Sequence, residues 1–224
     1  MPPPHRNRPI HQDKGPHMTI DAVVFDIGNV LIEWQPERYY DRIYGADRRR
    51  ALFDAVDLHG MNDRVDQGQG FRDVIYATAD AHPEFAREIR DWHDHWLDLA
   101  QPVITQSVRC LRALRARGVP VLALSNFGVE SFALAQRHYD FLNEFDQQYI
   151  SGHLRVIKPD VGIYQALEQG CGFDASRLLF TDDRAANIAA AQARGWQVHH
   201  FDGPQGWAAR LVAERLIDMG DISQ

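Results

Sequence analysis

From Val119 to the C-terminus, four short strand-like segments alternate with four helix-like segments. "VPVLALS" precedes "VESFALAQRHY", "QQYIS" precedes "PDVGIYQALEQG", "RLLFTD" precedes "RAANIAAAQARG", and "WQVHHF" precedes "GWAARLVAERLI". Strand and helix alternating at this spacing predict parallel strands joined by crossover helices, and the apolar segments among them fit strands buried on both faces. The run Ala22 to Phe25 adds a strand near the N-terminus. "PVITQSVRCLRALRARG" predicts a helix opened by Pro102, with Val108, Leu111 and Leu114 on one face and Gly118 as its cap. The expected class is α/β, a parallel sheet with helices on both faces.

Between the first strand and that helix the texture changes. "PERYYDRIYG", "ADRRRALFDAVDLHG", "FRDVIYATADAH" and "PEFAREIRDWHDHWLDLA" are charged, aromatic and helix-like, and no strand pattern interrupts them. Phe85, Ile89, Trp92 and Trp96 fall at helical spacing and predict a packed face. A helical insertion is therefore expected over 34–101, with the α/β core built from 18–33 and 102–224. Residues 1–17, "MPPPHRNRPIHQDKGPH", hold no apolar stretch of the kind a signal peptide needs. They read as a disordered extension or as residues added by cloning.

Composition narrows the function. The net charge of −7 argues against a nucleic-acid-binding surface. No apolar run approaches the ~20 residues of a membrane helix. Cys110 and Cys171 belong to no C-x-x-C pattern and read as free thiols of a cytoplasmic protein. A monomer or homodimer is expected.

In an open α/β sheet, ligands gather at the carboxyl ends of the strands. Here those ends carry Asp26, Ser125 with Asn126, and Asp182 with Asp183, while Lys158 stands just before a helix. One aspartate after a strand is an ordinary cap or turn former. Four polar sites in chain order are hard to account for as caps. Three carboxylates at one edge raise one another's pKa unless a cation is present, and Mg2+ answers that need with carboxylate and phosphate oxygens. Lys158 offers a point charge for a phosphate or for the nucleophile's carboxylate. Ser125 and Asn126 can hold phosphoryl oxygens, and an aspartate can act as nucleophile through an aspartyl-phosphate.

The motifs "FDIGNV", "LSN", "IKPD" and "TDDRAAN" together resemble the haloacid dehalogenase superfamily, mostly Mg2+-dependent phosphatases, over residues 20–217. The resemblance implies a Rossmann-like parallel sheet with an inserted helical cap domain. It makes Asp26 the nucleophile and a metal ligand, with the Gly28 carbonyl as second ligand. Ser125 and Asn126 would bind the phosphoryl group, and Lys158 would contact it or steady the phosphoaspartate. Asp183 would be the metal-binding acid, with Asp182 in support. Asn187 would orient a metal-bound water or be an ordinary first-turn residue.

One position departs from the pattern. Most phosphatases of that superfamily carry a general acid two residues after the nucleophile, where this chain has Gly28. The D-x-G-N-V form resembles a subgroup that includes sugar-1-phosphate phosphatases. A positioned acid is worth ~100- to 10,000-fold, least where the leaving group is weakly basic, as in an anomeric or acyl phosphate. Either the substrate is of that kind or another residue supplies the proton. "LHGMNDRVDQGQG", read as a Gly-rich turn, offers His59, Asp63 and Asp66, each equally at home on a surface loop. Arg64 is a substrate contact or a solvated side chain, and Trp34, Trp92 and Trp96 are core residues or pocket walls.

The expected function is a Mg2+-dependent phosphatase of a small, sugar-phosphate-like metabolite. A metal-independent 2-haloacid dehalogenase would have an aromatic residue at position 28 and a serine at 183. A phosphomutase needs the missing acid, and a non-catalytic binding module has no use for Asp26, Lys158 and Asp183. His93 with His95, and His199 with His200, are spaced so that their rings diverge, and neither pair predicts a metal site.

Overall fold

The computed structural model describes residues 19–222. The N-terminal segment 1–17 lies outside the described residues. Five strands, β1 (Ala22–Phe25), β2 (Val121–Ser125), β3 (Gln147–Ile150), β4 (Leu178–Asp182) and β5 (Gln197–His200), form one parallel sheet in the order β3-β2-β1-β4-β5. Phe25 is in register with Ala123 on one side and Thr181 on the other. β1 is central, and the strand order reverses beside it, which is where such a sheet opens a crevice.

The apolar runs are explained by burial on both faces. Val23, Phe25, Val121 and Leu179 join one apolar cluster, while Ala22, Val24, Leu122, Leu124, Leu178 and Phe180 join a second. The second includes Ile163, Tyr164 and Leu167 of the helix Val161–Cys171 and Ile188 and Ala191 of the helix Ala185–Ala193. The α/β class and the strand-helix alternation hold as expected.

The insertion consists of helices Pro36–Tyr44, Ala46–Ala55, Leu58–Asp66, Phe71–Ala81, Ala86–Asp94 and the short Trp96–Leu99. Phe85, Ile89, Trp92 and Trp96 are buried, and the block's interior belongs to the same cluster as Val23 and Phe25. Its two ends meet at a neck: Ile32 pairs with Val103 in an antiparallel bridge, Ile104 N donates to Leu31 O (2.8 Å), and Glu33 N donates to Pro102 O (2.9 Å). That pairing corrects one expectation. Pro102 does not open a helix, because the chain stays extended through the neck and the helix begins at Thr105. Gly118 ends the turn after it with φ +74°, a conformation that glycine adopts freely.

A second correction concerns the expected Gly-rich turn, most of which is the helix Leu58–Asp66. Asp57 caps it by accepting from Gly60 N at 2.8 Å. Leu58, Met61 and Val65 are buried, so one apolar face holds the helix despite Gly60. Cys110 and Cys171 are free and buried. Among the described residues no helix is long and apolar enough to cross a membrane.

Candidate active site

β1 delivers Asp26 to the carboxyl edge, where its N–H donates to Thr181 O of β4 at 3.0 Å. Three donors converge on Asp26 Oδ1: Ile27 N (2.7 Å), Ser125 Oγ (2.7 Å) and Lys158 Nζ (2.8 Å). Among the described residues none of these falls on Oδ2, which leaves that oxygen for chemistry. Burial raises the Asp26 carboxyl to about 7, Lys158 draws it down, and Asp182 and Asp183 push it up.

Lys158 is 1 % exposed, and its ammonium also donates to Asp182 Oδ2 (2.6 Å) and Leu124 O (2.8 Å). An ammonium has three protons, and all three are committed. Burial alone would lower its pKa, but Asp182 and Asp26 raise it, and the net direction is upward. Lys158 therefore grips the Asp26 carboxylate. Asn126 fixes the same residue by accepting from Lys158 N (2.7 Å) and donating to Lys158 O (3.1 Å). One amide hydrogen of Asn126 is left to face the cavity it lines.

The two adjacent acids have different surroundings. Asp182 is fully buried, and its oxygens take Lys158 Nζ, Arg184 N (2.8 Å) and both contacts of Asn187 Nδ2 (2.9 and 3.0 Å). It lies within 4.8 Å of the other two carboxylates, but its oxygens are saturated. Asp182 thus holds Lys158 while remaining one of the three carboxylates that could surround a metal ion. Asp183 lines the cavity, is raised by burial, and accepts from Asn29 Nδ2 at 3.0 Å. Asn29 was given no role by sequence, yet it links the first motif to the fourth, and its φ of +55° is one that asparagine tolerates.

The donor set fits a hard divalent cation. Asp26, Asp182 and Asp183 place one oxygen each within 4.8 Å of one another, and Lys158 pairs with the first two. Gly28 lines the cavity beside them, and Asn187 Oδ1 is buried with no hydrogen-bond partner. All of these are oxygen donors, the kind Mg2+ takes.

Above this edge is a cavity of about 550 Å³. Its far side is formed by His59, Asn62, Asp63 and Asp66, with Trp34, Trp96 and Phe127 as an apolar wall. The helix Leu58–Asp66 thus turns its polar face to the site. Arg64 points away and donates to Thr78 Oγ1 (2.9 Å), so no substrate contact comes from it. Trp92 is fully buried in the core.

The family model of the haloacid dehalogenase-like hydrolases matches residues 20–195. The chain belongs to this family. As a haloacid dehalogenase-like hydrolase it is 33 % identical over 181 residues to a sesquiterpene phosphatase of Aspergillus oryzae, covering 79 % of this chain and 87 % of the relative. It is 31 % identical over 100 residues to an (S)-2-haloacid dehalogenase of Pseudomonas sp. strain YL, covering 45 % of this chain and 40 % of the relative. Its fold matches an enzyme of the same family from Bacteroides thetaiotaomicron with a TM-score of 0.70 at 20 % identity, over 86 % of this chain and 98 % of that one. That enzyme has also been crystallised with magnesium and inorganic phosphate.

For this hydrolase, Gly28 is not demanded by the backbone. It is absent from the residues of positive φ, and a Cβ built there would meet nothing nearer than Trp34 Cβ at 4.0 Å. The space for a side chain at position 28 exists and is unused. Of the remaining candidates, His200 Nε2 donates to Asp183 O (2.9 Å), His93 pairs with Asp94, and His95 with Asp98, so His93 and His95 face different partners.

Proposed function

We propose that this hydrolase is a Mg2+-dependent phosphatase working through an aspartyl-phosphate on Asp26. The observation that carries the reading is the asymmetric Asp26 carboxylate, with Oδ1 fixed by Lys158 and Ser125 and Oδ2 open beside Asp183. Asp26 forms the bond to phosphorus, the ester oxygen leaves, and water then attacks the phosphoaspartate. Lys158 favours the ionised nucleophile, because its charge opposes the rise that burial imposes. Mg2+, held by Asp26, Asp183 and the Gly28 carbonyl, would supply the positive charge that the phosphoryl group needs at an edge already bearing three acids. The acid at 183 disfavours metal-free dehalogenation.

The substrate is a small organic monophosphate that fits about 550 Å³. His59, Asn62 and Asp63 offer hydrogen bonds to the hydroxyls of a sugar phosphate. A second reading, a terpenoid monophosphate, draws on the apolar wall of Trp34, Trp96 and Phe127 and on the A. oryzae relative. A panel holding a sugar 1-phosphate, its 6-phosphate and a prenyl monophosphate, run with Mg2+ and with chelator, tests both. Hydrolysis that needs Mg2+ and disappears in Asp26→Asn is the expected result. Chelator-insensitive chloride release from chloroacetate, without phosphate release from any member, would reverse the assignment.

A further inference from the structure

Resting on the phosphatase reading, we propose that Asp66, carried on the helix Leu58–Asp66, is the general acid that protonates the leaving oxygen, replacing the carboxyl that position 28 lacks.

Asp66 is 8 % exposed and lines the cavity opposite Asp26. It is near enough to Asp26 and Lys158 to feel both charges. Its orientation is set from the core outward. Trp92 Nε1 donates to Asn62 Oδ1 (3.0 Å), and an indole N–H can only donate, so the Asn62 amide cannot be reversed. Asn62 Nδ2 then donates to Asp66 Oδ2 (2.9 Å), and the Gly128 N–H donates to the same carboxyl, so the group is held in place against the cavity. The backbone is pinned as well, because Ser151 Oγ donates to Asp66 O at 2.6 Å.

The carboxyl is in its acid form where a general acid must be. Burial raises it to about 8, Asp63 and Asp26 push in the same direction, and the Gly128 N–H and Lys158 oppose them. Of the charged groups on the neighbouring elements, Glu130 accepts from Phe71 N and Arg64 donates to Thr78 Oγ1, while His153 lies edge-on to Phe132 and Arg155 packs beside Gly68. The other two candidates on this helix, His59 and Asp63, are exposed, and His59 faces Glu37 at 3.5 Å.

In the first step Asp26 bonds to phosphorus, the bond from phosphorus to the leaving oxygen breaks, and the Asp66 proton moves to that oxygen, releasing an alcohol. In the second step the Asp66 carboxylate takes a proton from water as the water oxygen bonds to phosphorus and the Asp26 ester breaks. Phosphate leaves, and both carboxyls return to their starting forms.

The experiment measures kcat/KM, which covers the steps through transfer to Asp26 and not the shared hydrolysis of the phosphoaspartate, with Mg2+ on an alkyl phosphate and on p-nitrophenyl phosphate, whose leaving group needs no proton. Asp66→Asn is expected to lower kcat/KM ~100-fold or more on the alkyl ester and less than ~10-fold on the aryl ester. The double variant Asp66→Asn with Gly28→Asp is expected to recover part of the alkyl activity, since position 28 has room. Wild-type kcat/KM on the alkyl ester should fall above about pH 8 with no matching fall on the aryl ester, a readout independent of any variant. Equal losses on the two esters, an unchanged alkyl rate, or identical alkaline limbs would overturn the proposal. If Asp26→Asn abolishes aryl ester hydrolysis while Asp66→Asn spares both substrates, only the role of Asp66 fails. If the wild-type enzyme hydrolyses neither ester, the phosphatase reading fails and the proposal falls with it.

Discussion

Two buried ionisable residues at this site are treated in opposite ways. Lys158 is enclosed but answered, with Asp26, Asp182 and the Leu124 carbonyl each taking one proton. Asp66 is enclosed without a cation in contact. Its carboxyl binds a proton in the folded protein up to about pH 8, whereas the unfolded chain releases it near the ordinary value of 3.8. Between those limits the native state holds the extra proton, so this residue's contribution to stability is complete below pH ~4 and is lost as pH rises toward 8. Asp66→Asn removes that dependence. Thermal unfolding should show the variant and wild type alike at pH 4, with the variant more stable at pH 8 by on the order of a few kcal/mol. A residue whose replacement improves stability and impairs turnover is retained for chemistry.

At the scale of elements, the helix Leu58–Asp66 meets the strand ends through glycines. A Cβ at Gly152 would approach Phe127 O to 2.7 Å and Val129 N to 2.8 Å, both backbone atoms that cannot swing aside. Gly152→Ala is expected to cost about 1–3 kcal/mol in denaturant unfolding and to lower kcat on alkyl phosphates, because it displaces Phe127 from the cavity wall and Gly128 from Asp66. The three inner strands were legible in sequence because burial on both faces writes an unbroken apolar run, whereas β3 and β5, at the sheet's edges and only partly buried, were marked by their alternation with helices. Asp26, Ser125 and Asp183 were legible because strand ends place them together, and Lys158 because it stands just before a helix of the same alternation. The helix above them was not, since Gly60, Gly68 and Gly70 read as a turn while the burial of Leu58, Met61 and Val65 is visible only in three dimensions. Asn29 escaped for a related reason: its contact with Asp183 spans 154 positions, and only the β1–β4 pairing brings the two together. The division of labour between Asp182 and Asp183 needed the hydrogen bonds themselves.

At the scale of the whole molecule, the helical insertion and one face of the sheet share an apolar interior that runs from Val23 and Phe25 to Trp92, Trp96 and Trp207. A shared interior predicts one cooperative transition. Tryptophan emission, which samples both regions, and far-UV circular dichroism should give coincident midpoints in urea. Two separated midpoints would show that the helices unfold apart from the sheet. The neck adds a consequence for descent and design. Leu31, Ile32 and Glu33 are stitched to Pro102, Val103 and Ile104 by backbone bonds, so the chain leaves β1 and comes back to nearly the same place. The register of β1 with β2 and β4 is fixed without reference to what lies between. The insertion is in this sense a parenthesis: a graft sharing its neck and its apolar underside could change the ester selected, and the hand that supplies the proton, while Asp26, Lys158 and Asp183 keep their places.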